Sequence, residues 1–373
     1  MSVRSSHPLS AWRSAASWPS SAQWVALPTL SAVISLVWGA AGLPAALLLG
    51  PMISGIAFGV NGLRLAVPGL PYLGAQGLLG AMIASAITPA IVASFIHDAP
   101  LFCLVIAATL LGATAVGWLI SRSGLIPGAT AIYGTSPGAA TAMVLLSEAE
   151  GADARLVAFM QYSRVLLVAL GAALVALRSG AAGAHAPQAL WLAPVHWGNL
   201  AAVLLLAALG QQAARLLRLP AWGLLGPMLL LSGVHAGGWV NIELPRWVLA
   251  GAYALIGWHI GLGFSRDALR HAGQALPVVA VAAICLMGFC GLLAWCLMRV
   301  ARVDALTAYL ATSPGGLDSV AIIAASTPRV DLSFVLGMQS VRLLFVIGLA
   351  PLITRLVVQH SAHLQAAKSS AGD

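Results

Sequence analysis

Residues 126–149 read IPGATAIYGTSPGAATAMVLLSEA, and residues 304–327 read DALTAYLATSPGGLDSVAIIAAST. Each stretch is apolar on both flanks and broken at its middle by the same four residues. These are Thr135, Ser136, Pro137 and Gly138 in the first, and Thr312, Ser313, Pro314 and Gly315 in the second. The pattern predicts a pair of short helices meeting at a proline, written once in each half of the chain.

Other motifs on either side keep the offset that separates Thr135 from Thr312. Leu43-Pro44-Ala45 followed by Leu48-Leu49-Gly50-Pro51-Met52 recurs as Leu219-Pro220-Ala221 and Leu224-Leu225-Gly226-Pro227-Met228. Asp153 with Met160, Gln161 and Arg164 recurs as Asp331 with Met338, Gln339 and Arg342. Three motifs that hold their order and spacing to within two residues predict a duplicated unit fused head to tail. Each unit reads as a span at 23–40 (196–214), one at 43–60 (220–239) interrupted by Gly-Pro, one at 72–91 (247–264) and one at 98–121 (276–298). The broken pair follows at 126–149 (304–327), then a long last span at 155–178 (332–355). The expected layout is a cytoplasmic arm at 1–22, a first repeat at 23–178, a linker at 179–195, a second repeat at 196–356 and a short tail at 357–373. The arm is polar, Ser-rich and acid-free, and a cytoplasmic arm is preferred there to a transit peptide or cleaved signal.

Composition sets the environment. Of 373 residues, 60% are hydrophobic and 8% charged, against roughly 25% charged in soluble domains. Windows at 98–121, 157–177, 276–298 and 333–354 are nearly free of charge and long enough to cross a hydrocarbon core of roughly 30 Å. The runs are too continuous for the alternating pattern of an outer-membrane barrel. The fold class expected is therefore an all-α polytopic membrane protein: two homologous repeats of about five spans, each with a broken or re-entrant helix pair. If the pair re-enters, the span count per repeat is odd and the repeats are inverted, a common transporter plan. If it crosses, they are parallel, and the distribution of basic residues barely separates the two. Inversion is the preferred expectation, in a multi-pass protein of a bacterial inner membrane.

The net charge of +8 does not point to nucleic acid. The basic residues, nearly all Arg, are scattered singly through short connections such as Arg64, Arg122, Arg178, Arg246 and Arg329, with no basic cluster carrying interleaved aromatics. Cys103, Cys285, Cys290 and Cys296 all fall in apolar spans without metal-ligand spacing, and are expected to be buried small hydrophobes. No metal or cofactor motif and no acid–base pair is visible, so no enzymatic activity and no cofactor are expected.

The chemistry-bearing residues cluster at the breaks. Ser136 and Ser313 read as N-caps of the second half-helices, with Pro137 and Pro314 at the first helical position. Gly138, Gly315 and Gly316 remove bulk so that a ligand can approach backbone amides. Two helix starts buried in a membrane, each with a partial positive charge and free N–H groups, describe a site for a small anion; two proline-started helices that merely pack are the structural alternative. Arg164 and Arg342 lie about a third of the way into the last spans, where an unpaired charge is costly, with Gln161 and Gln339 three residues earlier on the same face. Each pair either completes the anion site, or holds loop carbonyls or snorkels. Asp318 stands in the first turn after the second break, opposite Thr141 in the first copy. It is a candidate to bind a coupling proton or cation, or to pair with Arg342. Asp153 and Asp331 read as N-caps of the last spans, and His235 and His259 as satisfied structural groups able to titrate.

GPMISG, YGTSPGAATA, ATSPGGLDSVAIIA and the two Met-Gln-x-x-Arg spans resemble the AbrB family of duplicated membrane proteins, over about 25–355. That family is distinct from the small DNA-binding regulator that shares its name. The resemblance implies a membrane protein labelled a regulator of gene expression, in some members an ammonia monooxygenase. The second label finds no support in a sequence whose nine His form no close pair with ligand spacing. Members tend to carry a Glu shortly after Gly-Gly, where this chain has Asp318 and Ser319. The expected function is secondary transport of a small, anionic solute, with indirect regulation from the membrane as the alternative. The partners expected are the solute, a proton or cation and the lipid bilayer, without direct contact to nucleic acid.

Overall fold

In a computed structural model of the chain, the described residues are 19–41, 45–63, 65–87, 99–137, 140–178, 195–219, 221–273, 275–327 and 330–343, with 345, 346 and 349. Among them every regular element is helical. The order is α1 (Ser20–Ala40), α2 (Ala46–Val60), α3 (Gly69–Ala86), α4 (Ala99–Arg122), α5 (Gly128–Thr135), α6 (Ala140–Ala149) and α7 (Ala154–Arg178). Then follow α8 (Trp197–Leu216), α9 (Trp222–Ala236), α10 (Arg246–Leu262), α11 (Arg266–His271), α12 (Leu276–Ala301), α13 (Ala305–Thr312) and α14 (Leu317–Ala325), and α15 (Leu332–Leu343). The linker, the tail and most of the arm lie outside the described residues.

Among the described residues, α1, α4, α7, α8 and α12 are long and apolar enough to cross a membrane. Their outward faces carry Leu36, Leu104, Leu111, Leu205 and Ile284, all more than half exposed. In water such faces would be an aggregation hazard, whereas in lipid they are ordinary surface. The chain is a helical membrane protein.

The helices sort into two groups. One holds α1–α3 with α8–α10, the other α4–α7 with α12–α14, and α15 touches both. Small residues lock the first group together. Gly80 of α3 sits so close to α9 that a Cβ there would lie 2.7 Å from the Leu224 carbonyl oxygen and 2.9 Å from the Pro227 Cβ. Gly257 of α10 meets α2 in the same way, 2.8 Å from the Leu48 carbonyl oxygen and 2.9 Å from the Pro51 Cβ. Only glycine permits such an approach of helix backbones. Both partners, α2 and α9, open on a non-glycine residue in the left-handed region, Ala45 at φ 60° and Ala221 at φ 50°. That is strained backbone for an alanine, and both residues follow Leu-Pro.

The sequence of contacts along each helix gives its direction. Leu48 faces Gly257, and Gly59 faces Phe264, so α2 and α10 run parallel. Tyr72 stacks on His259, while the Tyr253 hydroxyl reaches Met82 Sδ, so α3 and α10 run antiparallel. Gly223 faces Leu73 and Gln76, and Gly80 faces Pro227, so α3 and α9 run parallel.

In the second group α5 and α6 form a helical hairpin, as do α13 and α14. The N–H of Asp153, which opens α7, donates to Thr130 Oγ1 at 3.1 Å, beside the start of α5. The N–H of Asp331 donates to Thr307 Oγ1 at 3.1 Å, beside the start of α13. The chain therefore enters and leaves each hairpin at one level. Asp153 and Asp331 cap α7 and α15, accepting from Leu156 N at 3.1 Å and Phe334 N at 2.9 Å, as expected from sequence.

Candidate functional site

The two hairpin tips are gripped by the Gln–Arg pairs. Gln161 is fully buried, and its Nε2 donates to the carbonyl oxygens of Tyr133 (2.8 Å) and Ser136 (3.1 Å). Arg164 Nη1 donates to the carbonyl oxygens of Thr135 (3.2 Å) and Ser136 (2.9 Å), and its Nη2 to Gln161 Oε1 (2.5 Å). At the second tip Gln339 Nε2 donates to the Leu310 carbonyl oxygen at 2.6 Å. Arg342 Nη1 donates to Ser313 O (2.5 Å) and Nη2 to Gly315 O (2.8 Å). All but Gly315 O, which lies in the loop just before α14, close α5 and α13, helix ends with no further amide to bond and partial negative charge. A guanidinium satisfies them with fixed, forked donors.

Arg164 and Arg342 are 2% and 3% exposed. Neither has a carboxylate within ion-pair distance among the described residues. Arg164 stands ten residues into α7 and Arg342 ten residues into α15. At 1.5 Å per residue that is about 15 Å of helix, half of a hydrocarbon core of roughly 30 Å. The tips also lie close together. A Cβ on Gly315 would meet Val168 Cγ1 at 3.2 Å, and Val168 is one helical turn beyond Arg164. Tyr309 of α13 donates to the Val168 carbonyl oxygen at 3.3 Å. The space beside Arg164, between Thr135, Met160 and the α12 residues Val279, Ala282 and Leu286, measures about 10 Å³, room for roughly one water.

Several sequence expectations are corrected here. Ser136 and Ser313 do not cap the second half-helices; they terminate the first ones. Their hydroxyls bond backwards, Ser136 Oγ to Ile132 O at 2.8 Å and Ser313 Oγ to Leu310 O at 3.1 Å. A serine following a helix has those carbonyls within reach and takes them, as Ser and Thr do when local acceptors compete. Pro314 is buried but not at the first helical position, since Gly316 is the N-cap of α14. Gly315 is not an open approach to the backbone, because Val320 Cγ2 would lie 2.7 Å from a Cβ there. Thr135 and Thr312 turn their hydroxyls to Ala131 O (2.9 Å) and Ala308 O (2.9 Å), and Thr312 also to Cys290 O (3.1 Å). Pro137 is buried. Gly138 lies outside the described residues. Asp318 falls in the first turn of α14, its side chain outside what is described.

His235 and His259 occupy structural positions. His235 Nδ1 lies 3.0 Å from the Val240 carbonyl oxygen. The His259 ring lies 4.0 Å, centroid to centroid, from that of Tyr72, with Nε2 3.5 Å from Tyr162 Oη. Sequence reasoning missed Thr130 and Thr307, although Thr307 follows Thr130 by the same offset that relates Thr312 to Thr135. It also missed His271, whose Nε2 meets Asp153 Oδ2 at 2.5 Å; nothing local in the sequence marks that pair. Among the described residues no group of His, Cys, Asp and Glu is placed to hold a metal.

Fold and site together define a helical membrane protein whose two broken helices are held at their tips by buried arginines. A model of the family described as "Transition state regulatory protein AbrB" matches residues 47–358. The chain is also similar to "Putative regulator AbrB" of Escherichia coli (strain K12), 43% identical over 337 residues, 90% of this chain and 96% of that one. A more distant similarity, 28% over 264 residues and 66% of each chain, is to "Uncharacterized protein YhjN" of Bacillus subtilis (strain 168). The chain belongs to the AbrB family.

Proposed function

We propose that the chain is a secondary transporter of a small anionic solute, built in a bacterial inner membrane from two inverted repeats. Its candidate site is where the hairpin tips approach one another beside α7. The observation that carries this reading is the pair of buried guanidiniums without a carboxylate partner among the described residues. Each donates to carbonyls at one hairpin tip, beside the start of α6 or α14, a helix end of partial positive charge. A cationic centre amid apolar helices favours an anion from either side.

Inversion is supported by helix direction. The helices α3 and α10 sit at equivalent places in the sequence repeat and run antiparallel, as do α2 and α9. It is supported also by hairpins that enter and leave at one level, as re-entrant pairs do. A proton or cation acting at Asp318 is the candidate coupling partner. No enzymatic step is part of the proposal. The word "regulator" in the name of the Escherichia coli relative fits the same reading if movement of a signal solute changes expression indirectly.

The test is uptake of labelled small anions into proteoliposomes holding the full chain, beside Arg164→Gln and Arg342→Gln. Saturable uptake that either variant abolishes is expected. A folded wild-type protein that neither binds nor moves any member of an organic and inorganic anion panel overturns the reading.

A further inference from the structure

The two tips are not alike. At the first, the Gln161 acceptor is taken, since Arg164 Nη2 donates to Gln161 Oε1 at 2.5 Å, and the donor Arg164 Nε is left over among the described residues. At the second, Arg342 gives Nη1 to Ser313 O and Nη2 to Gly315 O. Among the described residues, Gln339 Oε1 and Arg342 Nε are then both left without a hydrogen-bond partner, though the residues are 1% and 3% exposed. The Gln339 amide cannot be turned over to cure this. Its Nε2 faces the carbonyl oxygens of Leu310, Ala311 and Ser313, and turning it would set oxygen against oxygen.

A lone acceptor and a lone cationic donor therefore stand three residues apart on one face of α15, deep in the bundle. An unpaired buried polar group is costly, and these two need opposite partners. A plain carboxylate satisfies Arg342 Nε but brings negative oxygen against Gln339 Oε1. From this we infer that the second tip is a subsite for an oxyanion with a hydroxyl beside it, the arrangement of a 2-hydroxycarboxylate. The oxyanion accepts from Arg342 Nε and the hydroxyl donates to Gln339 Oε1. The first tip has no equivalent, because its glutamine oxygen is already engaged. This inference rests on the anion reading of the same site and names its solute class.

The experiment is calorimetric binding to the purified full-length protein of three matched pairs: glycolate and acetate, lactate and propionate, malate and succinate. At least one hydroxy acid should bind tenfold or more tightly than its unsubstituted partner, since a site built around a hydrogen bond rejects a ligand that cannot make it. Gln339→Met should erase that ratio, and Gln161→Met should leave it. Gln161→Met removes the tip contacts and the acceptor of Arg164 Nη2 as well, so it is the more disruptive change and a ratio that survives it is the stricter control. If Gln339→Met does not fold, the ligand pairs on wild type still decide. Saturable binding with equal affinities within every pair overturns the hydroxy-acid subsite and leaves the anion reading standing. No binding of any of the six overturns this inference, and with the same silence from the wider panel the anion reading falls too.

Discussion

Ser136 and Ser313 show how one residue type can be read correctly for chemistry and wrongly for direction. A serine before a proline lies between two half-helices, and its hydroxyl can serve either. Bonding forward would cap the next helix; bonding backward, as it does here, ends the previous one. Ser136→Ala or Ser313→Ala should therefore remove one neutral hydrogen bond, about 0.5–1.5 kcal/mol, and lower thermal stability in detergent while preserving most function. Loss of all transport in either variant would show the hydroxyl doing more than this. Gly315 behaves differently. With Val320 Cγ2 only 2.7 Å from where an added methyl would stand, Gly315→Ala should destabilise the second hairpin by about 1–3 kcal/mol through overpacking, measured as a lowered unfolding midpoint. Arg164 and Arg342 were legible as deep charges because a lone Arg in an apolar span stands out. Loop carbonyls were one of the partners the sequence offered them, and they are what both hold; which carbonyls was not legible, since any tip backbone would have read the same.

Among the elements, α7 has the most varied surroundings. Its N-cap Asp153 touches α5 through its amide and α11 through its carboxylate. Burial raises the Asp153 carboxyl, but the His271 hydrogen bond, the Leu156 amide, the charge of His271 and the Arg155 amide together hold it below its ordinary 3.8. A carboxyl depressed on folding contributes stability above its unfolded value and loses it as pH falls through the lower folded one. The stability gap between wild type and Asp153→Asn should thus be full at neutral pH and close below pH 3.8, in melts followed by circular dichroism. A gap that persists in acid would assign the effect to something other than ionisation. The glycine seams of α10 make a second test. Gly257→Ala forces a methyl against α2 and should cost about 1–3 kcal/mol. Gly251→Ala in the same helix, with nothing within 4 Å, should be neutral or stabilising by up to about 1 kcal/mol. Helix positions were readable in the sequence because apolar runs and Gly-Pro breaks mark them. The pairing of α2 with α10 was not, since it joins residues in opposite halves of the chain and glycine carries no pattern that names its partner.

At the scale of the whole molecule, the direction of α3 against α10 makes a topological demand. Reporter fusions placed in 61–63, after α2, and in 237–240, after α9, should report opposite sides of the membrane. A same-side result would sink inversion and leave the sequence repeat untouched. The interlocked glycines carry a consequence for biogenesis. Gly80 finds its seat on α9, and Gly257 finds its seat on α2, so neither half of the chain contains the groove that this glycine of its own fills. During synthesis α2 and α3 must wait in the bilayer, their close-packing faces covered only by lipid, until α9 and α10 have been inserted in turn. A half expressed alone should then be short-lived and degraded. Two halves cut within 179–195 and made together in one cell should rescue each other, each serving as the other's assembly template.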